Sequence, residues 1–253
     1  MGMIRSLVFT LSLGLFTASN ALALSDKELE SIGHRVWQNE CAGTRDGLTS
    51  WNSGEGFPSL GIGHFIWYPK GVSGPFEESF PALVQFFAAN GVKVPAWLRG
   101  ECPWATRAEF NADLRGARLT ELRELLAGTV RLQSRFLAQR MEAALPKLLA
   151  AAPAAKRDAV RRNFERLAAS GKGTFALIDY VNFKGEGTNP KERYKGEGWG
   201  LLQVIEGMAE DVSPCRAFSD SAARVLTRRV KNAENDESRW LKGWMNRVRS
   251  YAE

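Results

Sequence analysis

The chain has 253 residues, 44% of them hydrophobic, and 34 Lys and Arg against 28 Asp and Glu leave a formal charge of +6. That length suffices for one large domain with a real core or for two lobes sharing a groove, and no low-complexity linker divides it into independent domains. The basic balance suits an anionic polymer, a class holding peptidoglycan, nucleic acid and anionic lipid, while two His and three Cys at no zinc-like spacing argue against a metal centre.

Residues 1–23 carry Arg5, an apolar run from Leu7 to Phe16 and the small-residue site Ala21-Leu22-Ala23. This is the pattern of a secretory signal peptide, or alternatively of an uncleaved anchor. Cleavage after Ala23 leaves residues 24–253 as a periplasmic or secreted protein with no integral membrane segment. Ser25 and Glu28 stand at capping-box spacing, and Leu29, Ile32, Val36 and Glu40 recur on one helical face. Glu40 therefore ends a helix on or beside its buried stripe. Burial disfavours a charged carboxyl, so an acid placed there is expected to hold its proton, as a general acid must; the plainer reading is a surface Glu in a last turn.

From Leu48 to Ser59 the composition turns to Thr, Ser, Asn and Gly around Trp51, Asn52 and Glu55, which reads as turns and short strands. Ser59 to Tyr68, SLGIGHFIWY, then alternates as a strand. Leu60, Ile62, His64 and Ile66 would take one face, and Gly61 and Gly63 would leave the other bare enough for a backbone or a ligand to approach.

Further on, Pro69 to Pro75 reads as a turn, Phe76 to Asn90 as a short helix interrupted by Pro81, and residues 91–103 as a loop. Thr106 and Glu109 open a helical pattern running through Leu114, Leu119, Leu122, Leu125 and Leu126, and helices continue over Phe136 to Leu149 and Val160 to Leu167. Phe175 to Phe183, FALIDYVNF, is apolar on nearly all sides, as a central helix would be. It runs into a glycine-rich loop in which KGEG occurs at 184 and 195; this is either an ordinary surface loop or one lip of a polysaccharide groove, with Asn182, Glu186, Tyr194 and Gln203 as candidate contacts. Trp240, Trp244, Val248 and Tyr251 mark a C-terminal helix docking by its aromatics.

Several chemistries are absent from the pattern. Arg166 and Gly173 stand where a phosphate-binding loop around Lys172 needs Gly and Ser or Thr. Neither His lies in a nucleophile-elbow context, and a Cys–His enzyme would need one of them beside a reactive Cys. His64 is read as a structural or substrate contact. Of the three possible pairings of Cys41, Cys102 and Cys215, Cys41 to Cys102 ranks first, with three buried thiols as the alternative.

A helix ending in Glu40, a short polar segment, and then Ser59-Leu60-Gly61-Ile62-Gly63-His64 resembles the N-terminal lobe of the phage-type lysozymes, and more loosely the lysozyme-like superfamily that includes lytic transglycosylases. The resemblance covers a small part of the chain. It implies an α+β, mostly α, lysozyme-like fold with a small antiparallel hairpin lobe over about residues 41–70 and a helical lobe over about 71–253. It also implies that Glu40 protonates the β-1,4 glycosidic oxygen of a cell-wall glycan and that Ser59, usually Thr, helps place water or substrate. The family's Asp ahead of that position is replaced here by Asn52 and Ser53, and the nearest carboxylates are Glu55 and Asp46. Glu55 is thus the candidate second catalytic group, with a single-acid lyase as the alternative. Substrate contacts fall to Trp51, Asn52, His64, Asn182, Glu186, Tyr194 and Gln203. The expectation is a monomeric enzyme without cofactor or nucleic-acid partner, acting on peptidoglycan. Another β-glycan such as chitosan, or a wall-binding protein without turnover, are the alternatives.

Overall fold

The computed structural model describes residues 24–74 and 76–253, so the expected signal at 1–23 lies outside the described residues. In chain order the elements are α1 (Asp26–Cys41), β1 (Thr49–Ser50), β2 (Ser59–Leu60), β3 (Phe65–Ile66), α2 (Phe80–Ala89), α3 (Arg107–Ala112), α4 (Ala117–Gly128) and α5 (Val130–Ala151). They continue with α6 (Arg157–Ala168), α7 (Gly171–Lys184), β4 (Arg193–Tyr194), β5 (Glu197–Gly198), α8 (Leu201–Glu206), α9 (Pro214–Asn232) and α10 (Ser238–Arg249). The fold is α+β and mostly helical.

The capping box forms as read. The Ser25 hydroxyl accepts from the Glu28 amide at 3.3 Å, and the Glu28 carboxylate accepts from the Ser25 amide at 2.9 Å, satisfying two donors that a helix start leaves free. Leu29, Ile32, Val36 and Cys41 are buried along α1, which packs mainly on α5 and α7. The helix stops because Ala42 and Gly43 turn left-handed, with φ of 52° and 65°.

The small lobe differs from the expected hairpin. Its sheet has three antiparallel strands in the order β1-β2-β3, pairing Ser50 with Ser59 and Ser59 with Ile66. Residues 59–68 are not one strand, because Gly61 to His64 form the turn between β2 and β3. Gly61 has φ of 72°, open to glycine without strain, and the His64 amide donates back to the Gly61 carbonyl at 3.3 Å. What approaches the bare backbone is the protein itself. Buried Gln133 of α5 accepts from the Ile62 amide at 2.9 Å, and a Cβ on Gly61 would stand 2.5 Å from that same Gln133 oxygen.

Helix boundaries shift for local reasons. Pro81 sits in the first turn of α2, where its missing N–H costs no intrahelical bond, so it starts the helix rather than interrupting it. The run from Thr106 is two helices, since Asp113 to Gly116 break it and the Asp113 carboxylate is drawn to the Trp104 indole at 2.9 Å. The helix expected over 136–149 extends to Val130–Ala151. Helix α7 begins at Gly171 and is fully enclosed from Gly173 to Tyr180, as the apolar run requires. Within the glycine-rich loop, β4 and β5 form a second hairpin. No disulfide ties α1 to the middle of the chain: Cys41, Cys102 and Cys215 are all free. One cluster of buried apolar side chains spans the small sheet and the helices, from Ile32 through Trp67 and Phe110 to Tyr251. Among the described residues no helix is long and apolar enough to cross a membrane.

Candidate active site

Glu40 stands in the last turn of α1 with its side chain 12% exposed. It is not alone against apolar side chains. One carboxylate oxygen accepts from the Arg247 guanidinium, and the other lies 3.5 Å from Nδ1 of His64. His64 is one-third exposed and occupies the turn between β2 and β3 with φ of 49°, a conformation rare for a residue with a Cβ. The glycine turn therefore carries the imidazole to the end of α1.

Arg247 is held from the other side by Asp179, the one acid inside the apolar run of α7. Asp179 is fully buried and accepts from Arg247 Nε and Nη2 at 2.8 Å each, from the Tyr251 hydroxyl at 2.6 Å and from Asn39 Nδ2 at 3.0 Å. Four donors on two oxygens satisfy a carboxylate that would otherwise be intolerable there. Burial works against the Arg247 charge, but Asp179 and then Glu40 outweigh it and raise its pKa. Burial, then the Asp179 charge, push the Tyr251 phenol well above its ordinary value.

Among known proteins no family model, no curated protein and no solved structure matches this chain.

Of the residues expected at the site, the structure brings His64 to Glu40. Glu55 is spent on its own turn: its carboxylate accepts from Asn52 Nδ2 at 3.2 Å, and its carbonyl accepts from the Trp51 indole at 2.8 Å. Trp51 is buried, edge-on to Phe110 at 5.8 Å, so its ring faces are turned to the core and not to a groove. Ser59 is a buried member of β2, with its carbonyl accepting from the Ser50 hydroxyl at 3.4 Å.

The loop candidates divide. Gln203 locks the loop onto α8, accepting from the Gly200 amide at 3.0 Å and donating to the Gly187 carbonyl at 3.1 Å. Tyr194 packs against Trp199, the rings tilted by 42° with centroids 4.5 Å apart, and donates to Glu237 at 3.1 Å. Glu186 pairs with Lys147. Asn182 differs from these, because its buried Nδ2 has no hydrogen-bond partner among the described residues. Asn182 and Glu186 line a cavity of about 80 Å³ between α5 and α7, bounded by Leu137, Arg140 and Ile178. Leu137 also touches the glycine turn, 3.0 Å from where a Cβ on Gly63 would be, so the cavity and the turn that bears His64 share a wall.

Nucleophilic cysteine chemistry has the right neighbours and the wrong thiol. Cys41 Sγ lies 4.0 Å from His64 Nε2, in line with Glu40 on the other ring nitrogen. Burial, and then the Glu40 charge, push the thiol up to about 12, so at neutral pH it stays protonated. What remains is a carboxyl with an imidazole at one oxygen and a fixed guanidinium at the other, so the apolar surroundings on which the sequence expectation of a proton-holding acid rested are replaced by two basic partners.

No local motif in the sequence singles out Arg247 or Asp179 as a partner of Glu40. A lone Asp inside FALIDYVNF was the available signal, since a buried carboxylate needs a cation. Which of the chain's 34 Lys and Arg answers it is decided by how α10 folds back, which no local pattern encodes.

Proposed function

We propose that this protein is an exported glycosidase of peptidoglycan, with Glu40 as the acid that protonates the β-1,4 glycosidic oxygen. The single observation that carries the reading is the placement of the Glu40 carboxyl, held where the end of α1, the glycine turn and α10 meet, with a partly exposed imidazole at 3.5 Å. Arg247 aims the carboxyl, and its own position is locked by Asp179. His64, 3.5 Å from the second carboxylate oxygen and partly exposed, holds Glu40 from the solvent side, while the proton that Glu40 gives up is returned by the attacking sugar hydroxyl. Without Arg5 of the expected signal the formal charge falls from +6 to +5, and this basic balance favours an anionic wall polymer over polycationic chitosan.

For the second step the reading takes the single-acid course that the resemblance to lytic transglycosylases implies, in which the sugar's own hydroxyl attacks and Glu40 serves as acid and then base. The observation favouring it over a two-carboxylate hydrolase is that Glu55 is bonded into its own turn. Asp179, the other carboxylate tied to the Glu40 network, is fully enclosed and cannot reach a glycan. Incubating the purified protein with peptidoglycan sacculi and with chitosan tests the reading. Soluble muropeptides from sacculi are expected, and cleavage of chitosan alone, or of neither polymer, would refute it.

A further inference from the structure

A second cavity, of about 480 Å³, lies away from Glu40, between the end of α5, α8, α9 and the β4–β5 hairpin. Its size falls in the range of small-molecule sites. The charged lining is Lys156, Arg193, Arg224 and Arg228 against Glu197 and Glu206, a formal surplus of two positive charges. The two carboxylates are already paired, Glu197 with Arg228 at 3.0 Å and Glu206 with Lys156 at 3.4 Å. Arg193 and Arg224 have no carboxylate partner among the described residues. Arg193 donates to the Gly196 carbonyl at 3.3 Å and Arg224 to the Gly207 carbonyl at 2.7 Å, each through one nitrogen of a fork with five N–H donors. Arg228 also lines the cavity, its Nη1 paired with Glu197 and its Nη2 donating to the Gly198 carbonyl at 3.3 Å, while its buried Nε–H has no hydrogen-bond partner among the described residues. The remaining N–H donors of Arg193 and Arg224 lack a carboxylate, and an oxyanion supplies acceptors in the geometry that guanidinium groups match best.

We propose that this cavity binds a small organic dianion, its acidic groups being carboxylate or phosphate, held by Arg193, Arg224 and Arg228. The site is independent of the Glu40 chemistry, and neither reading needs the other.

Isothermal titration of the whole chain with glutarate and with inorganic phosphate tests it, at an ionic strength fixed with sodium chloride. Saturable binding of one of them is expected. A preference for glutarate identifies a dicarboxylate ligand, and a preference for phosphate identifies a phosphorylated one. Arg224→Gln, on the exposed side of α9, and Arg193→Gln, in the exposed hairpin, should each weaken binding at least about tenfold, the scale of a lost charge-assisted bond. Glu40→Gln should bind as the parent does. Heats no different from a chloride titration, or an Arg193→Gln/Arg224→Gln double variant that binds like the parent, would overturn the proposal.

Discussion

Arg247 and Asp179 share two hydrogen bonds of 2.8 Å each, joining the last turn of α10 to the enclosed centre of α7, and the same guanidinium reaches on to Glu40. The C-terminal helix is therefore part of the site and not only a cover for it. Arg247→Met leaves Asp179 with Asn39 and Tyr251 alone and is expected to lower stability by about 3–5 kcal/mol, the usual result of breaking a buried pair from one side. Arg247→Met combined with Asp179→Asn should recover part of that loss. Urea midpoints of the two variants and the parent decide it, and an Arg247→Met variant as stable as the parent would show that the pair does not hold α10.

A second expectation concerns the glycine turn. Gly61→Ala meets both the positive φ of 72° and the Gln133 oxygen at 2.5 Å, and Gln133 is fixed by bonds to Leu126 and Ile62. A loss of about 1–3 kcal/mol should follow. Because the turn carries His64, activity should fall more than the folded fraction does. Denaturation curves matching the parent would contradict this account of the turn.

The helix start at Ser25, the end near Glu40, the apolar centre of α7 and the polar segment after α1 were all legible, because each rests on local periodicity or capping. The turn at Gly61 to His64 was not. Alternation over SLGIGHFIWY is equally compatible with a strand, and only the approach of Gln133 from a helix far along the chain selects the turn. Trp51 and Gln203 failed to reach a groove for a related reason: aromatic and amide side chains serve a fold as readily as a ligand, and composition does not separate the two uses. The C-terminal aromatics divided as well, with Tyr251 buried and Trp240 52% exposed.

Lys184 gives a pH expectation. Its Nζ sits 3.4 Å from the Trp244 ring centroid, and burial, then Arg229 and Arg247, depress its pKa to about 7 against the opposing pull of Glu237. Unfolded, a lysine titrates near 10.4, so between about pH 7 and 10 the unfolded chain holds a proton that the folded chain has shed. Stability arising from this group thus increases with pH across that window and is lowest below it. Lys184→Met should gain about 1–2 kcal/mol at pH 7, after discounting for the solvent the amine still meets, and should flatten the rise. Urea midpoints at pH 6, 8 and 10 check the slope; parallel profiles for variant and parent would refute it.

Glu55 separates the two glycosidase courses. With its carboxylate occupied by Asn52, Glu55→Gln is expected to keep turnover within about threefold of the parent, far from the roughly 100-fold or greater loss of a missing general base. The muropeptides released should carry 1,6-anhydro ends. Reducing ends together with a strongly impaired Glu55 variant would establish a two-carboxylate hydrolase instead.

The central assignment is Glu40 itself. Glu40→Gln is nearly isosteric, can still accept from Arg247, and cannot give up a proton. Single-turnover release of muropeptides from sacculi by folded Glu40→Gln protein, compared with the parent at equal concentration, measures the chemical step directly. A fall of about 100- to 10,000-fold with unchanged binding to sacculi is expected. Turnover above about a tenth of the parent's would contradict the assignment of Glu40 as the acid.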